Sequence, residues 1–383
     1  MTADSRKGKL HPGGIYMYSA FEKICRDYAE NKDFSGTCMV ESGKEILFSG
    51  AYGCANRAFQ IPNRIDTKFD SASVTKTFTA AAILQLVEKG LLRLDGHITD
   101  ILDLQGTRIS DDVRIEHLLS HTSGIADDAD EESGEEYSAL FRDTPNYAFR
   151  ECRDFLKNFA YKEPYFKAGT DVRYNNCAFI LLGLALEKIT GINYRTYMAR
   201  NIFAPCGMTN TEFCSMDGIN ANTAEGYTGI FDSEGRRIGW KKNIYCYPPV
   251  GTPDGGACTT VEDLDKFLRA IRDRRILSER YSDMLLSPHC TFSRPTVRKG
   301  LPDMTVRMGY AFEFLEMNGE VFCMYKEGLN DGVGAMFSYY PQADITVSLL
   351  ANQDCRIFLM YRELQEEVYR MFYSGCKRNE CIT

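Results

Sequence analysis

The spacing of apolar and polar positions changes several times along this chain, and each change predicts a different element. Over residues 18–31, Phe21, Ile24, Cys25 and Tyr28 recur on one face at helical spacing, which predicts an opening helix. "GTCMVES" and "EILFSGAYG" follow on either side of Ser42-Gly43-Lys44 and read as a β-hairpin. From Ser73 to about residue 290 the spacing is mostly helical, with long polar connections. Strand signals then return. "YAFEFLEM" and "EVFCMYK" are joined by Asn318-Gly319, the two-residue turn with the clearest hairpin signature. "VGAMFSYYP" and "DITVSLLAN" predict two more strands, and Ile357, Tyr361, Leu364, Val368 and Phe372 place a helix after them.

Strands near both ends of the chain enclose a helical excursion. The economical packing is an α+β fold: one antiparallel sheet built from both ends, flanked by the terminal helices, plus a mainly helical lobe. The expected division is a single catalytic domain over 15–375. Its α/β lobe takes about 15–70 and 300–375, and its helical lobe about 71–299. A cleft between the lobes is the expected place for a site.

Composition narrows the chemistry. A net charge of −8 in 383 residues lacks the basic footprint that nucleic-acid binding needs. The longest apolar run, "CAFILLGLAL" at 177–186, is too short for a transmembrane segment. The opening "MTADSRKGKLHPGG" has charge and no apolar core after it, so no signal peptide is expected and the expected location is cytoplasmic. Fourteen cysteines lie singly along the chain, without a C-x-x-C pair and without clustering with the five histidines. Free thiols are expected, and no metal or organic cofactor. Neither a P-loop nor H-E-x-x-H nor G-x-S-x-G occurs.

One stretch looks like an ordinary amphipathic helix with a misplaced charge. In "DSASVTKTFTAAAILQLVEKG", Lys76 sits in the first turn, where the helix dipole disfavours a cation by roughly 0.3–1 kcal/mol. Ser73 lies one turn earlier, so the two side chains share a side. A serine hydroxyl needs a neighbouring base to become a nucleophile, and a buried lysine with a lowered pKa can be that base. Two further stretches supply partners. "FKAGTDVRYNNCAFILLG" puts Tyr174 and Asn176 just before an apolar helix ending at Gly191. The phenol can carry a proton, and the amide can bind a substrate carbonyl or hold Lys76. "YKEGLND" ends a strand with Lys326 and Gly328 at its edge, where glycine lets a ligand approach the backbone.

The order S-x-x-K, Y-x-N, K-x-G resembles the serine β-lactamase and penicillin-binding-protein superfamily. The nearest branch is similar to the class C β-lactamases and their relatives, the family VIII esterases, D-aminopeptidases and DD-peptidases. "IEHLLSHTSGI", "YMARNIFAPCGMTNTEF", "DGGACTTVEDLDKFL" and "YYPQADITVSLLANQD" resemble that family's recurrent segments in its order, over about residues 18–372. The resemblance implies an acyl-accepting nucleophile at Ser73, with Lys76 as its proton partner. It implies that Tyr174 is the general base or shares that task with Lys76, and that Lys326 tunes Tyr174 and the substrate end. Backbone N–H groups of Ser73 and Leu329 would form the oxyanion hole, and Asn176, Glu327 and Gly328 would line the substrate. In the family, "HTSG" is a structural loop near the cleft. His121 is therefore expected there rather than as the base of a triad with Ser123. The adjoining "DDADEESGEE", seven acids in ten residues, is expected to be a solvated face.

The third motif departs from the family. Glu327 occupies a position where β-lactamases and DD-peptidases carry a hydroxyl that holds the substrate's carboxylate. Two like charges 4 Å apart repel by about 4 kcal/mol at an effective dielectric of 20. A glutamate facing the pocket would therefore disfavour penicillins and D-Ala-D-Ala termini. The expected function is a serine acyl hydrolase cleaving a small ester, amide or short peptide. The alternatives are a β-lactamase or DD-carboxypeptidase with the same site, or a non-turnover binding or sensor protein of the same fold. The expected partner is that small-molecule or short-peptide substrate, and the oligomeric state stays open.

Overall fold

The computed structural model describes residues 12–298 and 300–374. It is α+β, as the spacing predicts. Five helices organise the core: α1 (Pro12–Asn31), α2 (Thr75–Glu88), α3 (Cys177–Thr190), α4 (Val261–Arg272) and α5 (Ile357–Phe372). The main sheet contains β1 (Gly36–Ser42), β2 (Glu45–Tyr52), β3 (Pro288–Thr296), β4 (Met304–Gly309), β5 (Glu313–Met317), β6 (Glu320–Asn330), β7 (Val333–Tyr340) and β8 (Ile345–Ala351). Its order is β2-β1-β8-β7-β6-β5-β4-β3, antiparallel throughout, with Gly36 opposite Ala351 where the two ends of the chain meet.

Alternation along the strands separates two cores. Val347 and Leu349 of β8 join Met336 and Tyr340 of β7 beneath α1 and α5, against Phe21, Cys25, Leu364 and Val368. Leu350 of β8 and Ala335 and Phe337 of β7 point to the opposite face and meet the helical lobe. The period of two decides which core each side chain enters. At the β5–β6 turn, Asn318 and Gly319 have φ of 54° and 82°, the left-handed pair that a type I′ turn requires.

Three expectations need correction. The sheet reaches back to Pro288, because β3 and β4 pair beside β5, so the helical lobe stops short of residue 299. Prolines at 288 and 295 obscure β3 in the sequence, and an outermost strand is where the sheet tolerates them. A small hairpin, Tyr227–Phe231 with Arg237–Lys242, also interrupts the helical stretch. Finally, α2 is not amphipathic. Every residue from Thr75 to Leu86 is buried, and Phe78 packs edge-on against Phe203 and Phe267. A helix buried on all sides belongs at the centre of a lobe. Among the described residues, no single helix is long and apolar enough to cross a membrane.

Candidate active site

The site forms where α2 begins, against the sheet. Residues Ala72–Val74 make one tight turn before α2, and Ala72 takes φ of 42°. That left-handed residue is held from both sides. Its N–H donates to Asp70 Oδ1 at 2.7 Å, and its carbonyl accepts from Gly256 N at 3.3 Å. Burial pushes the Asp70 carboxyl up to about 6. Strain of this kind persists where surrounding structure over-determines it. Here the result is that Ser73 turns into the cleft.

Ser73 Oγ meets two groups. Lys76 Nζ lies 3.0 Å away and the Tyr174 hydroxyl donates to it at 2.7 Å. Lys76 is fully buried, and its Nζ also donates to Asn176 Oδ1 at 2.7 Å and to the Asp254 carbonyl at 2.5 Å. Burial lowers its pKa to about 8, against the opposing pull of Asp254 and with help from nearby Lys326. Burial raises the Tyr174 phenol well above its ordinary value. Both shifts have one cause: burial disfavours the charged form of each group.

Proton geometry adds to this. A charged ammonium has three donors and no acceptor, whereas a neutral amine keeps two donors and a lone pair. Neutral Lys76 would satisfy Asn176 Oδ1 and the Asp254 carbonyl with its two N–H groups and take the Ser73 O–H on its lone pair. Asn176 therefore holds the lysine, the second of the two tasks open to it. Its Nδ2 reaches Glu131 Oε2 at 3.4 Å.

From the sheet, Lys326 is buried, with Nζ 4.5 Å above the Tyr174 ring and 3.4 Å from Glu313 Oε1. Glu313 also accepts from Tyr325 OH at 2.9 Å, so it fixes the end of β6 from behind. Among the described residues, β6 pairs with β5 no further than Tyr325, and this open edge runs past the Ala72–Val74 turn. Gly328 lies against that turn. A Cβ there would stand 2.4 Å from Ser71 O and 3.0 Å from Ser73 N. Leu329 lines the cleft beside it.

Glu327 does not belong to this group. In a strand, neighbours of Lys326 point to the other face, so Glu327 is directed away from Ser73. It is exposed, and it lies opposite Met336, which belongs to the core under the terminal helices. The expected repulsion of a substrate carboxylate by Glu327 therefore fails on geometry.

The acidic stretch at 127–136 is also different from expectation. Asp127 and Asp128 are buried, and Asp127 accepts from Asn176 N at 2.8 Å and Cys177 N at 3.0 Å, capping α3 just behind the site. Glu131 opens onto the cleft with Asp254. His121 is buried with φ of 58°. Its ring lies 4.6 Å from the Tyr174 ring, and its Nδ1 accepts from Asn175 N at 3.1 Å. Burial, Lys326 and Lys76 hold it well below its usual pKa. It supports the Tyr174 ring, a loop role in keeping with expectation.

The cleft has a cavity volume of about 340 Å3 and is walled by Tyr137, Met216, Ile244 and Tyr247. The family model described as Beta-lactamase matches residues 21–360. This chain belongs to that family. Within the serine β-lactamase and penicillin-binding-protein superfamily, it is 31% identical over 287 residues to penicillin-binding protein 4* of Bacillus subtilis, covering 71% of this chain and 59% of the relative. It is 29% identical over 270 residues to esterase EstB of Burkholderia gladioli, covering 63% and 67%. The solved penicillin-binding protein of Bacillus halodurans superimposes with a TM-score of 0.81 at 34% identity, over 92% of this chain and all of that one. The chain spans about three-fifths of the length of the Bacillus subtilis relative. The β-lactamase-like fold and the S-x-x-K, Y-x-N and K-x-G positions thus meet at one cleft.

Proposed function

We propose that this β-lactamase-family protein is a serine acyl hydrolase that forms an acyl-enzyme on Ser73 and cleaves a small ester, amide or short peptide. The observation that carries the reading is the double engagement of Ser73 Oγ by Lys76 and Tyr174. Neutral Lys76 takes the Ser73 proton as Oγ attacks the carbonyl carbon. The carbonyl electron pair moves onto oxygen, between the N–H groups of Ser73 and Leu329; one such donor is commonly worth ~10²–10³ in rate. Tyr174 then gives its proton to the leaving group and is reprotonated through Lys76. Water repeats the sequence on the acyl-enzyme.

Substrate preference is read from the cleft acids. Glu131 and Asp254 flank the Lys76 network, so neutral substrates or those with a cationic end fit better than carboxylates. A second reading, β-lactamase or DD-carboxypeptidase, is favoured by one observation: Glu327 faces away from the cleft and does not bar a substrate carboxylate.

Release of p-nitrophenol from a short neutral ester, by wild type and Ser73→Ala, with a chromogenic cephalosporin alongside, tests both. Ester turnover that Ser73→Ala abolishes, with slow cephalosporin cleavage, is expected. Fast cephalosporin cleavage would establish the second reading instead. A stable acyl adduct without release would replace both with a binding protein.

A further inference from the structure

Cysteines that lie far apart in the sequence come together at the cleft wall. Glu212 N donates to the Cys258 carbonyl at 3.0 Å and Cys258 N to the Glu212 carbonyl at 2.8 Å. This two-bond bridge places Cys214 two residues along from the partner of Cys258. Cys214 Sγ lies 3.7 Å from Thr223 Oγ1, and the Cys214 and Cys258 side chains interact. Both residues line the same cavity as Ser73, and both are free thiols. The contact with Cys258 and the Thr223 hydroxyl hold the Cys214 thiol below its ordinary pKa, which favours the reactive thiolate. A second adjacent pair, Cys25 of α1 and Cys38 of β1, is fully buried.

We propose that Cys214 and Cys258 form a dithiol modification site in the cleft wall, which low-molecular-weight disulfides oxidise to an intramolecular bond that slows the serine chemistry. The Cys214 thiolate attacks one sulfur of the reagent and releases one thiolate, which takes up the Cys214 proton. The Cys258 sulfur then attacks Cys214 Sγ and gives its proton to the departing reagent thiolate, forming the protein disulfide and releasing the second reagent thiol. The chain loses two hydrogens, and the reagent disulfide becomes two thiols.

The consequence for the nucleophile follows from position. Cys258 pairs with Asp70, and the residues just before it clamp the nucleophile turn. Ser71 N donates to the Ala257 carbonyl at 2.9 Å, and Ala257 N to Thr75 Oγ1 at 3.0 Å. A disulfide draws its Cβ atoms to about 3.5–4.5 Å, pulling the wall at 214–216 against this clamp. Misplacement of about 1 Å at such a site costs up to ~10² in rate, and we expect turnover to fall about tenfold or more.

The full chain, reduced and then exposed to excess oxidised glutathione without denaturant, is mapped by mass spectrometry and assayed on the neutral ester. A 214–258 cross-linked peptide is expected, with the fall in turnover reversed by reductant and absent from Cys214→Ser. The inhibitory half rests on the acyl-hydrolase reading; the cross-link does not. Phenylarsine oxide, which bridges two adjacent thiols, should add once to wild type and protect both cysteines from alkylation, whatever the turnover. A lasting glutathione adduct on either cysteine, a cross-link at Cys25–Cys38 instead, or no arsenical bridge would overturn the site. A complete 214–258 cross-link with unchanged turnover would overturn its effect on the chemistry.

Discussion

Gly328 lies so close to Ser73 that a single added carbon on the glycine would stand 3.0 Å from the serine's backbone nitrogen. The carbonyl of Ser71 would be nearer still, at 2.4 Å. Both obstacles are backbone and cannot swing aside. Gly328→Ala should therefore push the open edge of β6 off the nucleophile turn and separate the N–H groups of Ser73 and Leu329. Ester turnover is expected to fall about 10²-fold, the scale of losing one oxyanion donor. Circular dichroism should remain close to wild type, because the strand keeps its pairing with β7. Unchanged turnover would remove Leu329 from the oxyanion role.

The depressed pKa of Lys76 sets a pH profile. Below about 8 the amine is protonated and cannot accept the Ser73 proton, so kcat/KM for a neutral ester should rise with pH and level off above that value. Tyr174→Phe should keep this rising limb while losing about 10²–10⁴ in rate, the range for a positioned proton carrier. If the limb vanished with Tyr174 instead, the base would be the phenol.

Charge in the cleft can be assigned by a pair of substitutions. Glu327→Gln should leave the ratio of cationic to anionic substrate turnover as it is, because that side chain faces away from Ser73. Glu131→Gln should shift the ratio toward anionic substrates, chiefly through KM. At about 4 kcal/mol for unit charges 4 Å apart, screened in an open cleft, a several-fold change is expected. The opposite ranking would return Glu327 to the pocket.

Stability has a separate titrating group. Glu41 of β1 is buried beside Asp265 of α4, and burial together with that second carboxyl raises it to about 8 from 4.5; Arg269 pairs with both acids and opposes the shift. A carboxyl whose pKa is raised on folding stabilises the fold fully below 4.5 and loses that contribution as pH rises through about 8. Wild type should therefore lose melting temperature across this window, and Glu41→Gln should lose less. Equal slopes would show that Arg269 keeps Glu41 ionised.

Much of this arrangement is legible along the chain, for physical reasons that differ by element. The hairpins read correctly because Asn318-Gly319 and Gly43-Lys44 state their turn geometry locally. Ser73, Lys76, Tyr174, Asn176 and Lys326 could be named because three short motifs follow one another in an order that resembles a known family; Lys326 itself lies within β6, and nothing local singles it out. Glu327 misled because a three-residue motif suggests three residues in the pocket, while a strand turns every second one away. The acids at 127–136 misled because composition cannot tell a solvated run from one whose first members cap a buried helix. Nothing local announces that Cys214 and Cys258 share one cavity wall; the bridge between Glu212 and Cys258 is long-range.

The joining of Gly36 to Ala351 has a consequence for how this protein is made. While the helical lobe is being synthesised, β1 and β2 have only each other and α1, and a two-stranded hairpin is marginal in water. The strand that completes their sheet, β8, emerges last of the eight. Lys326 and Gly328, which complete the surroundings of Ser73, also arrive long after it. A growing chain thus carries its serine through most of its synthesis in an incomplete setting. Reactivity should switch on only when late strands dock onto early ones, which makes labelling of Ser73 a reporter of finished folding.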